Sequence, residues 1–200
     1  MNNIDRIFSK DPNKFADSYL NYLQSILKKI DTKEIARFIE TLLNARKRKA
    51  TVFFIGNGGS AATASHFAND ISIGTNDYDD PFKAISLTDN VSILTAIGND
   101  FGYEEIFVRQ LRVLGQPEDV VVGISASGNS ENLLKAFEYA QEIGIKTVAI
   151  TGFDGGKLKN MADEGIHVPT GYKEYGPAED AHMILDHLVG AYLMRVIKTV

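Results

Sequence analysis

The chain predicts an α/β fold, a parallel sheet covered by helices on both faces, and three observations predict it. Short β-branched apolar runs alternate with stretches of helical periodicity, two of those runs end in Gly/Ser-rich loops that open onto helices, and 44% of the 200 residues are hydrophobic, enough for one buried core. Over 12–49, Phe15, Tyr19, Tyr22, Leu23, Ile26, Leu27 and Ile30, then Ile35, Phe38, Ile39, Leu42 and Leu43, recur at helical spacing. They predict two helices that break at Asp31-Thr32. Strand signals follow at 51–55, 82–87, 120–124, 146–150 and 165–168. Helical patterns occupy 60–73, 103–114, 130–143 and 157–162, and a last helix over 178–198 would run about 30 Å at ~1.5 Å per residue. The expected organisation is one domain over 1–200, with 1–50 as an N-terminal helical extension.

Composition excludes several function classes. A net charge of −5 argues against nucleic-acid and anionic-membrane partners, which need clustered Lys and Arg. Arg46-Lys-Arg-Lys49 reads instead as solvated cations at a helix C-terminus. With no cysteine, there is no disulfide framework, thiolate nucleophile or thiolate metal site. No apolar run approaches the ~20 residues of a membrane span, and Met1-Asn-Asn-Ile-Asp5 lacks a signal-peptide core. A soluble, cytoplasmic protein is expected.

The two Gly/Ser loops carry the strongest chemical signal. Gly56-Asn57-Gly58-Gly59-Ser60 and Ser125-Ala126-Ser127-Gly128-Asn129-Ser130 each lie between a strand and a helix. A helix N-terminus there offers about four unpaired N–H groups and partial positive charge, glycine admits close backbone approach, and serine adds hydroxyl donors. A single phosphate is expected between them. Gly56-x-Gly58-x-x-Ala61 also fits a dinucleotide fingerprint, but that pattern wants an acidic residue about 20 positions on, and Asp89 lies about 30 past the loop. Neither loop is followed by Gly-Lys-Ser or Gly-Lys-Thr, so a Walker-type site is excluded and no nucleotide cofactor is expected.

His66 and Asp70 stand one turn apart on the helix launched by the first loop. Glu179 and His187 lie about 80° from each other around the last helix, close enough to converge. Two imidazoles and two carboxylates suit a divalent cation of borderline softness, zinc first. The competing reading makes His66 a core histidine and 179–187 an ordinary polar face. His182, about 140° from His187, reads as packing. Gly98-Asn99-Asp100-Phe101-Gly102 reads as a turn, either for local reasons or because Asn99 and Asp100 hydrogen-bond sugar hydroxyls.

At these motifs the chain resembles the sugar isomerase (SIS) domain family, most closely its phosphoheptose isomerases. The motifs are the N-terminal helical pair, Gly56-Asn-Gly-Gly-Ser60, His66-Phe-Ala68, Gly98-Asn-Asp-Phe-Gly102, Gly123-Ile-Ser-Ala-Ser-Gly-Asn-Ser130, Thr151-Gly-Phe-Asp-Gly-Gly156 and the histidine-bearing last helix. The resemblance implies a three-layer, flavodoxin-like sandwich on a five-stranded parallel sheet. It also implies a homotetramer with active sites between subunits, and interconversion of sedoheptulose 7-phosphate and a manno-heptose 7-phosphate for heptose and glycan-precursor synthesis. It places the phosphate on Ser125, Ala126, Ser127 and Ser130, and the sugar on Asn57, Gly58, Gly59, Ser60, Asn99 and Asp100. Asp70 and His187 fall on the family's base and acid, and Asp70 and Glu179 also on positions that bind substrate. His66, Asp70, Glu179 and His187 fall on the zinc-ligand positions. The chain departs from the family with Asp70 for Glu, Glu179 for Gln and Gly74 for Arg. Glu179 thus either completes a more anionic metal site or takes over as base. A non-enzymatic regulator of the DnaA-binding type, and an isomerase of another sugar phosphate, are the alternatives.

Overall fold

The computed structural model describes residues 2–198. Helices α1 (Asn3–Ile7), α2 (Pro12–Leu27) and α3 (Thr32–Arg48) precede β1 (Thr51–Gly56), α4 (Gly59–Ser72), β2 (Lys83–Ser86) and α5 (Val91–Asp100). A 3-10 turn (Tyr103–Glu105), α6 (Val108–Leu114), β3 (Val120–Ser125), α7 (Glu131–Glu142), β4 (Lys146–Thr151), α8 (Gly156–Met161), β5 (Glu164–His167) and α9 (Tyr175–Val196) follow. The five strands form one sheet in the order β2-β1-β3-β4-β5, every pair parallel. After β1 the chain turns to one side for β2 and then crosses to the other for β3. The neighbouring C-terminal ends of β1 and β3 are therefore a topological switch point, where sheets of this class bind ligands. Gly56 pairs with Ile124 there, so both Gly/Ser loops leave the sheet side by side.

Strand alternation sorts the core into two layers. Val52, Phe54, Val120, Val122 and Ile124 face α2, α3, α4 and α9, whereas Phe53, Ile55 and Val121 face α6, α7 and α8. Phe67 of α4 stacks on Phe54, ring centroids 5.0 Å apart, and meets Phe38 edge-on at 5.8 Å. Those contacts set the rotation of α4, so that the next face of the helix looks toward α9. The N-terminal helices latch onto the start of α9: Tyr19 Oη donates to Asp180 at 2.5 Å, Tyr22 Oη to Glu174, and Asn3 N to Glu174 at 2.6 Å.

Three details differ from the sequence reading. Residues 98–100 are the last turn of α5, because Asn90 caps that helix by accepting from Ile93 N and its pattern runs on to Asp100; the chain turns instead at Gly102, with φ +104. The segment 103–114 divides into the 3-10 turn and α6. The last helix starts at Tyr175, with Pro177 in its first turn, where a missing N–H costs nothing.

Candidate active site

The N-termini of α4, α7 and α9 meet above the switch point around a cavity of about 100 Å³. Asn57, Ser60, Ser125, Ala126, Ser127, Ser130, Tyr175 and Glu179 line it together with Ile124. No Lys or Arg lines it, so the attraction for an anion comes from helix ends and hydroxyls. Ser130 caps α7 without its hydroxyl bonding the helix's own N–H groups, which leaves that hydroxyl for a ligand. The 125–130 loop is braced from within and from behind. Gly128 N donates to Ser125 Oγ at 3.0 Å, Leu158 N to Gly128 O at 2.9 Å, and Lys157 N to Asn129 Oδ1 at 3.1 Å. Gly128 has φ +62, and a Cβ there would overlap the Gly155 carbonyl, so only glycine lets the 152–156 loop support it.

Asn57 is held by reciprocal amide bonds with buried Asn132, at 2.9 and 3.0 Å, and by Tyr103 Oη at 2.8 Å. Gly58, with φ +55, turns the chain into α4. Gly59 allows the Glu179 carboxylate to rest against that helix's first turn, where a Cβ would collide with it. Burial, and then the neighbouring Asp180 charge, raise the Glu179 carboxyl above the usual range.

Farther along α4 and α9 lies a second cluster. His66 Nε2 stands 3.2 Å from His187 Nε2, 3.5 Å from Asp70 Oδ2 and 3.9 Å from Asp186 Oδ2. One ligand atom from each of the four falls within 4.8 Å of all the others, a group that could hold a metal ion. The two helices run parallel, since Glu179 meets Gly59, His187 meets His66, and Gly190 faces Asp70, where an added Cβ would lie 3.8 Å from that side chain. From Ser60 to His66 the rise is about 9 Å, and from Glu179 to His187 about 12 Å. The phosphate-sized cavity and the His/Asp cluster thus sit at the two ends of the seam, or groove, where α4 and α9 run side by side.

Not every anticipated residue arrives where it was expected. Glu179 is outside the His/Asp group and lines the cavity instead. Asn99 and Asp100 are exposed at the end of α5, bonded to each other at 2.7 Å, and do not line the cavity. Tyr103, Asn132, Tyr175 and Asp186 were missed. Asp186 did carry a signal: with Ala178, Ala181, Leu185, Val189 and Leu193 marking the core stripe of α9, a carboxylate at 186 falls where an apolar residue belongs. It is fully buried, and burial followed by the adjacent Asp70 charge pushes its carboxyl up to about 7.

Comparison with known proteins gives this groove its relatives. A family model described as SIS domain matches residues 14–152. A phosphoheptose isomerase of Helicobacter pylori (strain P12) is 42% identical over 170 residues, 85% of this chain and 83% of that protein. One from Akkermansia muciniphila is 40% identical over 168 residues, 84% and 86% of the two chains. The solved phosphoheptose isomerase of Neisseria gonorrhoeae superposes with a TM-score of 0.80 at 32% identity, over 90% of this chain and 97% of that one. The Francisella tularensis enzyme superposes with a TM-score of 0.80 at 28% identity, over 92% and 98%. The chain belongs to the SIS domain family and, within it, to the phosphoheptose isomerases.

Proposed function

We propose that the protein interconverts sedoheptulose 7-phosphate and D-glycero-D-manno-heptose 7-phosphate by moving a proton between C1 and C2. The observation that carries this reading is the length of the groove. From phosphorus to C1 an open-chain heptose 7-phosphate has about eight bonds, roughly 10 Å when extended at about 1.2 Å per bond. With the phosphate on Ser125, Ser127 and Ser130, that reach brings C1 and C2 to His66, Asp70 and His187. Asp70 is the base that takes the carbon-bound proton, and His187 the acid that donates to the carbonyl oxygen, giving an enediol; the reverse transfers deliver the proton to the neighbouring carbon. Asn57, Ser60 and Glu179 hydrogen-bond the hydroxyls between.

The cluster suits a divalent cation. Its separations of 3.2 and 3.5 Å lie near the ~3.3 Å edge of a tetrahedron with bonds of about 2.0–2.1 Å, and imidazole with carboxylate is a zinc donor set. Zinc held by His66, Asp70 and His187 would take over from the His187 proton, since a metal-bound imidazole nitrogen has none to give, by stabilising negative charge on the substrate oxygen. The reading further takes 1–200 as one SIS domain, working in the cytoplasm as a homotetramer whose neighbouring subunits bring Asn99 and Asp100 to the sugar. The exposed α9 stripe Ile184, Leu188 and Tyr192 supports such an assembly.

Incubating the zinc-loaded protein with sedoheptulose 7-phosphate in deuterated water tests the reaction. NMR should show the aldose accumulating with deuterium at the exchanged carbon. Tight binding without turnover would point to another sugar phosphate or to a regulator.

A further inference from the structure

Asp186 is the side chain in the groove whose surroundings are least explained by packing. It is 0% exposed, and neither of its oxygens has a hydrogen-bond partner among the described residues. A buried carboxylate left unpaired is strongly disfavoured and is ordinarily paired, bonded or bound to metal. Here Oδ2 stands 3.9 Å from His66 Nε2, and one ligand atom from each of Asp186, His66, Asp70 and His187 falls within 4.8 Å of all the others. That spacing is wider than the 3.2 and 3.5 Å of the other pairs, and a small rotation of the carboxylate closes it onto a cation they share.

We propose that Asp186 is a protein ligand of the cation held by His66, Asp70 and His187, and that Glu179 is not one. Two carboxylates and two neutral imidazoles balance a divalent charge, and the cation gives the Oδ2 that faces His66 the partner it lacks. The architecture of α9 explains the exchange of roles. Glu179 and Asp186 are seven residues apart on nearly the same face, about 10 Å apart along the axis, so they cannot serve one ion together. Glu179 is seated against Gly59 at the phosphate end, and Asp186 stands at the His66 end. With Asp186 in the set, an anionic ligand remains when Asp70 accepts the substrate proton.

This inference rests on the reading of the cluster as a metal site, and its test separates the two. Zinc affinity of the full-length protein is measured by competition with a chromophoric chelator, alongside the zinc-induced rise in Tm, for the wild type, Asp186→Asn and Glu179→Gln. The wild type and Glu179→Gln should bind one zinc per chain with affinities within a few-fold. Asp186→Asn should bind about 100-fold more weakly or worse and lose the zinc-induced rise in Tm. With chelator present, Asp186→Asn should melt no lower than the wild type, since it removes an uncompensated buried charge. Wild-type zinc affinity in Asp186→Asn, or loss of zinc in Glu179→Gln, overturns the assignment while leaving a metal site intact. A wild type that binds no zinc overturns both. Failure of Asp186→Asn to fold under chelator also overturns the assignment, because the carboxylate would then be structural.

Discussion

At the scale of single residues, the groove divides its work between its ends, and substitutions should divide accordingly. Asp70→Asn keeps the size of the side chain and removes its basicity, so kcat should fall by about 100-fold or more with KM little changed, as read by steady-state assay on sedoheptulose 7-phosphate. Gly59→Ala should act on binding, because the new methyl displaces the Glu179 carboxylate from the mouth of the cavity. KM should rise about 10-fold or more while zinc content stays at the wild-type level. Much of this was legible from sequence. Both loops, His66, Asp70 and His187 announce themselves by residue type and spacing. Asp186 gave a weaker signal, because a carboxylate next to a histidine on a long helix reads as solvated unless its place on the apolar stripe with Val189 and Leu193 is weighed.

At the scale of elements, α4 and α9 were readable as helices, but their parallel pairing was not. Periodicity gives each helix a buried stripe without naming its neighbour. The turn expected at 98–102 shows the same limit: Gly98, Asn99 and Asp100 are turn formers, yet a capped and apolar α5 carries them as its final turn. Within α9, His182 is wholly buried, and burial pushes its imidazole down to about 4. The folded state therefore stays unprotonated between pH 6.5 and about 4, while the unfolded chain takes up a proton over that window. The depressed folded pKa means stability falls as the pH falls through the window, by on the order of 3 kcal/mol for this group. His182→Asn should flatten that part of the acid limb when Tm is followed against pH, whatever it does to Tm at neutrality.

At the scale of the whole molecule, the switch point between β1 and β3 determines where the groove opens; the alternation of strands and helices predicted the parallel sheet, while the strand order that makes the switch comes from the structure. The assembly is the part that periodicity leaves open. Ile184, Leu188 and Tyr192 recur every four residues on the outer face of α9. A homotetramer that covers them predicts a tetrameric mass by light scattering for the wild type. Leu188→Glu should give smaller species that retain the far-UV circular dichroism of the fold. If Asn99 and Asp100 act from a neighbouring chain, those species should lose isomerase activity in proportion to the tetramer lost.

The latch between α2 and α9 also bears on how the protein comes into being. Tyr19 and Asp180 are 161 positions apart, and His66 and His187 are 121 apart. While a ribosome is still making the chain, the first three helices, α4 and the sheet can collapse, but α4 lacks the helix it runs alongside. Until the last helix emerges, the nascent protein exposes the apolar sides of α2, α3 and α4 that α9 covers. Helper proteins that shield such surfaces during synthesis would be needed longest by this chain in the interval between completion of β5 and arrival of α9.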